Sequence, residues 1–265
     1  MKLMFLEKKE LHKKLKNWTR EETMLAFELY CIIPKGKDTI HNEEIITLAK
    51  IINRTVNSVK LKLQNFKSYD PSYTKEGKVG LNHGSKLDEE VCNAFFQNWD
   101  DLIFETNNIK ERLGIAKLDN KEQNNIEIPL AKEKNVLRKE RIGQYFFRQA
   151  LLAAYNNKCC FTGLSITELL RASHIKPWAV SNNFNEKTNP RNGLLLNALH
   201  DVAFDKGFIT ISLDYKIIVS KRLILASKNN KKYFDLLHGK KISLPNRFIP
   251  DLQFIEYHNK FIFKD

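Results

Sequence analysis

The run from residue 159 to 220 constrains the fold of this chain more than any other feature. Its hydrophobic period changes several times in a short space. Cys159-Cys160-Phe161 reads as a short strand and Gly163 as a turn, followed by a helical turn and a strand-like entry into His174. After a polar loop over 181–191, the run Gly193-Leu194-Leu195-Leu196-Asn197 predicts a second strand. It passes directly into a helix over 198–204, with a turn at Gly207 and a hairpin around Leu213-Asp214-Tyr215. Short strands interleaved with a short helix predict an α+β arrangement for the C-terminal half.

Helical spacing dominates the remainder. Asn17 or Thr19 can cap a helix starting near Thr19, with Glu21 and Glu22 in its first turn and Leu25, Leu29 and Ile32 on one face. Pro34 and Gly36 end it. A second helix fits 42–52, with Ile45, Leu48, Ala49 and Ile52 inward. Asn53-Arg54 turns the chain, and Thr55 caps a third helix over 56–67 that points Val59, Leu63 and Phe66 inward. Two helices joined by so tight a turn predict a helix-turn-helix type unit. Its third helix is expected to expose Asn57, Ser58, Lys60, Lys62, Gln64 and Lys67. Residues 70–86 read as an ordered loop or small hairpin, 87–104 as one helix containing Val91, Phe95 and Leu102, and 138–156 as a long helix. The expected division is a helical domain over 1–108, a polar linker over 109–137, and a second domain over 138–265.

Charge narrows the partner. The net charge is +13, and it is unevenly placed. Residues 138–265 hold 21 Lys and Arg against 10 Asp and Glu, and residues 1–67 hold 14 against 8. Residues 68–137 reverse the sign, with 9 against 13. Two basic blocks around an acidic middle suit a polyanion. No uncharged apolar run of about 18 residues occurs, so a membrane span is not expected. The N-terminus lacks the long apolar core of a signal peptide, and a soluble cytoplasmic protein is expected. Cys31, Cys92, Cys159 and Cys160 form no C-x-x-C pair and no four-ligand set. Cysteine spacing therefore points to buried free thiols rather than a closed zinc site.

Five ordered pieces in the C-terminal half are more specific. They are Arg141-x-x-Gln144-x-x-Phe147-Arg148, Cys160-x-Thr162-Gly163, Ala172-Ser173-His174-Ile175-x-Pro177-Trp178, Asn192-Gly193-Leu194-Leu195-Leu196, and Leu199-His200-Asp201-x-x-Phe204-Asp205-x-Gly207. Together they resemble the HNH (ββα-metal) endonuclease domain of restriction-type proteins, in the branch without zinc-knuckle cysteines. The N-terminal segment from Asn17-Trp18-Thr19 to Asp70-Pro71 resembles the helical domain that precedes such domains in some of them.

The resemblance implies a ββα-metal nuclease domain behind a helical DNA-reading domain. It implies catalytic roles for three residues: His174 as general base, Asn192 orienting it, and His200 holding one divalent metal per site, Mg²⁺ or Mn²⁺. A neutral imidazole suits the first task, because it can take a proton from water near neutral pH. The position before the base often carries Asp or His in such sites. Here it is Ser173, a poor ligand, which leaves Asp201 as a substitute and Asp205 as an anchor for the turn at Gly207. Arg148, Lys176 and Arg191 are expected at phosphates, with Lys60, Lys62 and Gln64 on the reading helix. Arg141 and Gln144 are expected to tie the leading helix to the core, and Trp178 to pack on the core or stack on a base. The implied activity is hydrolysis of double-stranded DNA in restriction-type defence. Opposing cuts need two sites, which a homodimer would supply. A DNA-binding regulator with an inactive nuclease domain and a nonspecific nuclease toxin are the competing readings.

Overall fold

Among the described residues, six α-helices come before the first strand. In the computed structural model they are α1 (Arg20–Ile32), α2 (Glu43–Ile51), α3 (Val56–Phe66), α4 (Lys86–Phe95), α5 (Trp99–Arg112) and α6 (Ala131–Ala154). The structure describes residues 17–71, 84–96, 98–115, 131–182, 186–226 and 228–265. The expected hairpin within 70–86 and most of the expected linker therefore lie outside the described residues.

Local chemistry accounts for the helix ends. Thr19 caps α1 in a reciprocal capping box with Glu22. Asn42 caps α2 and Thr55 caps α3. Between α2 and α3 the chain turns through Asn53 at φ 51°, a left-handed conformation that asparagine tolerates. The helix-turn-helix expectation holds in outline. The single helix expected over 87–104 is two, α4 ending at Phe95 and α5 starting at Trp99. Burial explains the break, because it lets Phe95, Trp99 and Leu102 all turn inward.

Trp99 joins the two halves. It is fully buried, stacks near Phe27 and Phe146 with centroids at 6.4 and 5.8 Å, and meets Phe248 edge-on at 5.3 Å. One hydrophobic core thus runs from α1 to the C-terminal segment. Polar ties reinforce it. The Arg247 guanidinium caps the end of α1 by donating to the carbonyls of Tyr30 and Ile33, and Thr188 donates to Asp100. Helix α5 runs on to Arg112, past the expected end of the helical domain.

The C-terminal half carries β1 (Leu170–His174), β2 (Gly193–Asn197), α7 (Ala198–Asp205), β3 (Ile209–Ile211), β4 (Ile217–Val219), α8 (Lys221–Leu225), α9 (Lys231–Phe234) and α10 (Leu252–Phe261). Strands β1 and β2 pair antiparallel with Ser173 opposite Leu194 and His174 opposite Gly193. Helices α6 and α7 both pack on this hairpin. Cys159–Phe161 forms a turn rather than the expected strand. Two glycines are required by close approach. A Cβ on Gly193 would sit 2.5 Å from Leu151 Cδ1 and 2.7 Å from the Phe147 ring, so only glycine lets α6 seat on β2. Gly207, at φ 76°, would place a Cβ 2.0 Å from the Ile262 carbonyl oxygen.

Candidate functional site

His174 ends β1, and strand alternation turns it away from Ser173. Its ring stacks flat on Phe147, with centroids 4.0 Å apart and planes 8° from parallel, and meets Trp178 edge-on at 5.4 Å. Trp178 thus packs beside the expected base. His174 Nε2 lies 2.8 Å from the Lys187 carbonyl oxygen. A carbonyl can only accept, so Nε2 carries the proton and Nδ1 keeps its lone pair. Burial lowers the His174 pKa to about 4, against a smaller opposing effect of the Lys187 carbonyl. The imidazole is therefore neutral at physiological pH.

Asn192 is fully buried. No hydrogen bond joins it to His174. Its Oδ1 accepts the Lys176 N–H at 2.8 Å, and its Nδ2 donates to the carbonyls of Lys176 and Glu186, each at 3.1 Å. Asn192 thus staples the loop after β1 to the start of β2. The residue after Glu186 in that loop is Lys187, whose carbonyl holds the His174 ring.

On the other side of β1, Ser173 faces α7. Its hydroxyl is buried and makes no hydrogen bond of ordinary geometry among the described residues, yet it lies close enough to lower the Asp201 pKa. Burial has the larger effect on Asp201 and raises it, while Arg171 also lowers it. Asp205 sits one helical turn on from Asp201, on the same side of α7. Desolvation and then the Asp201 charge push its carboxyl up to about 6. Its side chain is exposed to solvent, and the Asp201 charge four residues before it acts in the same direction. The Asp205 side chain makes no hydrogen bond among the described residues, and the Gly207 carbonyl accepts instead from the Lys264 N–H.

His200 has a different setting from the one expected. Its N–H caps onto Asn197 Oδ1, and its Nδ1 lies 3.0 Å from Asn197 Nδ2. The ring sits between Phe161 and Phe234 and beside the Cys159 thiol. Burial raises that thiol, but the nearby His200 and Thr162 side chains and the Thr162 and Phe161 backbone outweigh it, leaving about 7. No group of three or more His, Cys, Asp or Glu side chains poised around a metal occurs among the described residues.

The expected DNA contacts divide. Lys62 is 5% exposed and forms an ion pair with the buried Asp88 at 2.5 Å, under the Trp18 ring. This corrects its placement on the exposed face of α3, and its neighbour Lys67 is paired with Asp38. Arg148 donates to the Leu170 and Thr167 carbonyls and so supports the approach to β1. Lys176 is paired with Glu186 at 2.6 Å and lies over Tyr257. Both long chains are spent inside the fold. Lys60, Gln64 and Arg191 are half-buried, and Asn57 and Leu61 are exposed beside the first two. Arg141 and Gln144 are exposed and make no side-chain hydrogen bond among the described residues, against the expected tie.

The sequence reading gives Asp205 to the turn at Gly207 and passes over Arg171 and Phe147. Asp205 was legible from its spacing of four from Asp201 on a helix. Arg171 was legible from its spacing of two from Ser173 on a strand. Phe147 carried no comparable signal, because a helical phenylalanine reads as ordinary core.

Residues 159–212 match the family model described as HNH endonuclease. That stretch contains β1, β2, α7, His174, Asn192, Asp201 and Asp205. No curated protein matches the chain. A solved structure titled "Modification dependent TagI restriction endonuclease" is similar over 42% of this chain, at 18% identity and a TM-score of 0.31. The match spans 35% of that protein's length.

Proposed function

From an HNH endonuclease domain at residues 159–212, we propose that this chain is a metal-dependent endonuclease for double-stranded DNA, read by its helical half and cut by its C-terminal half. The observation that carries the reading is the state of His174. Its ring is clamped on Phe147, its Nε2–H is spent on the Lys187 carbonyl, and burial keeps it neutral. Nδ1 is then the atom that takes a proton from the attacking water. The negative charge of a phosphodiester beside it raises its proton affinity toward the range a base needs. Asn192 is a positioning residue, acting through Glu186 on the loop that presents the Lys187 carbonyl.

A divalent ion fits Asp201 and Asp205. Both offer hard carboxylate oxygens, which suit Mg²⁺ or Mn²⁺. The repulsion between them and the buried Ser173 hydroxyl beside them are what a cation with bound water would relieve. When bound, such an ion stabilises charge on the phosphate and on the departing oxygen. Arg171, on the same side of β1, is placed to meet a phosphate oxygen.

In the helical half, the proposed reading face is Asn57, Lys60, Leu61 and Gln64 on α3, behind the N-cap Thr55. A reader joined to a cutter fits restriction of foreign DNA, including DNA with modified bases. Two copies would cut both strands. The test is incubation of supercoiled plasmid, linear duplex and structured RNA with Mg²⁺, Mn²⁺ or EDTA. Cleavage of both DNA forms with either metal and none in EDTA is expected. Intact duplex binding without cleavage under any metal would move the reading to a DNA-binding regulator, and cleavage of RNA alone would overturn the substrate.

A further inference from the structure

Two pairs of residues, each with the same internal spacing, converge behind α7. Cys159 and Thr162 lie in the turn before β1, with two residues between them. Asn197 and His200 span the junction of β2 and α7, again with two between them. The Asn197 backbone N–H donates to Cys159 Sγ at 3.3 Å. The Asn197 side-chain Nδ2 lies 3.3 Å from Thr162 Oγ1 and 3.0 Å from His200 Nδ1. Cys159 is fully buried and His200 is 4% exposed. The imidazole lies against the thiol, while its Nε2 is buried and makes no hydrogen bond of ordinary geometry. Phe161 and Phe234 flank the ring, each with its centroid at 5.8 Å.

Two such pairs meeting at one point, one in a turn with a backbone N–H aimed at sulfur, are the layout of a four-ligand structural zinc site. Here only Cys159 and His200 are good zinc ligands. Counting cysteines hides the pattern, because Thr162 and Asn197 fill the other two corners. We propose that Cys159, Thr162, Asn197 and His200 occupy the four corners of a structural zinc-type site in which hydrogen bonds through Asn197 replace the metal. The cluster ties the 159–163 turn to the first turn of α7, the helix that carries Asp201 and Asp205. It is a second centre, distinct from that carboxylate pair, and it makes His200 a structural residue. The inference rests on the spacing and contacts alone and does not depend on the proposed DNA cleavage.

The test restores the missing ligands. Full-length Thr162→Cys/Asn197→Cys is purified with zinc, dialysed, and assayed for bound metal beside the native chain. The Co²⁺-loaded protein is then read by visible absorption. We expect about one zinc retained per double-variant chain, strong tetrahedral Co²⁺ bands with thiolate charge transfer, and no stoichiometric zinc on the native chain. Because Asn197→Cys removes a helix cap, Thr162→Cys alone is run alongside. It keeps the cap, and with three ligands it should bind zinc at least about tenfold more tightly than the native chain. Folded variants that hold no more zinc than the native chain would overturn the geometry. Stoichiometric zinc on the native chain would overturn the replacement of metal by hydrogen bonds.

Discussion

Replacing Asn192 with Ala should separate its structural effect from its effect on His174. The side chain is fully buried and makes three backbone hydrogen bonds, one from Lys176 N–H and two to the carbonyls of Lys176 and Glu186. Alanine leaves all three groups without that partner. Each buried polar group left unsatisfied costs on the order of 1–3 kcal/mol, and water entering the space recovers part of it, so a loss of about 3 kcal/mol is expected. The second consequence is catalytic. The loop after β1 loosens, the Lys187 carbonyl leaves His174 Nε2, and the ring loses its fixed tautomer. A misplacement of about 1 Å costs roughly 10²-fold in rate. Urea unfolding measures the first effect. Single-turnover cleavage under conditions where the variant stays folded measures the second. An NMR titration of His174 links them, since a released ring should titrate above its native value of about 4. A stability loss under about 1 kcal/mol would refute the hydrogen-bond argument. A full stability loss with unchanged cleavage would refute the claim that Asn192 positions the base.

Three further outcomes follow from the same geometry. Gly193→Ala forces a methyl against Leu151 and Phe147, and it should cost about 1–3 kcal/mol in unfolding free energy and lower cleavage, because Phe147 also carries the His174 ring. Stability should fall on acidification: burial lowers His174 and His258 to about 4, so below pH 6.5 the unfolded chain binds protons that the folded chain does not. The stabilisation is complete above pH 6.5 and drains as pH falls to 4, by up to roughly 3 kcal/mol per histidine, which thermal melts across that range would read. Lys62→Ala strands the buried Asp88 and should cost about 3–5 kcal/mol, whereas Gln64→Ala should leave stability nearly unchanged and weaken duplex binding in a gel-shift assay.

Much of this was legible from the sequence where local chemistry decides it. The caps Thr19 and Thr55, the turn at Gly207, the second strand running into α7 and the inward faces of α1 to α3 follow from residue type and spacing. Lys62 was misplaced because a helical period assigns lysine to the wet side, and only tertiary contact supplies the buried Asp88. Tertiary contact likewise supplies partners that residue type does not announce for Arg148 and Lys176, which meet the Leu170 and Thr167 carbonyls and Glu186. Asn192 was expected to hold His174 directly, but it holds the loop that does. The resemblance implies a metal on His200; in the structure its ring lies beside Cys159, while Asp201 and Asp205 share the other side of α7.

The most direct test of His174 as the base is single-turnover cleavage by His174→Ala beside the native chain, at saturating Mn²⁺ and with matched duplex binding. General base catalysis contributes about 10²- to 10⁴-fold, so the variant should be slower by at least about 10²-fold while still binding DNA. A variant within about tenfold of the native rate would contradict the account, because a proton acceptor other than His174 would then be at work.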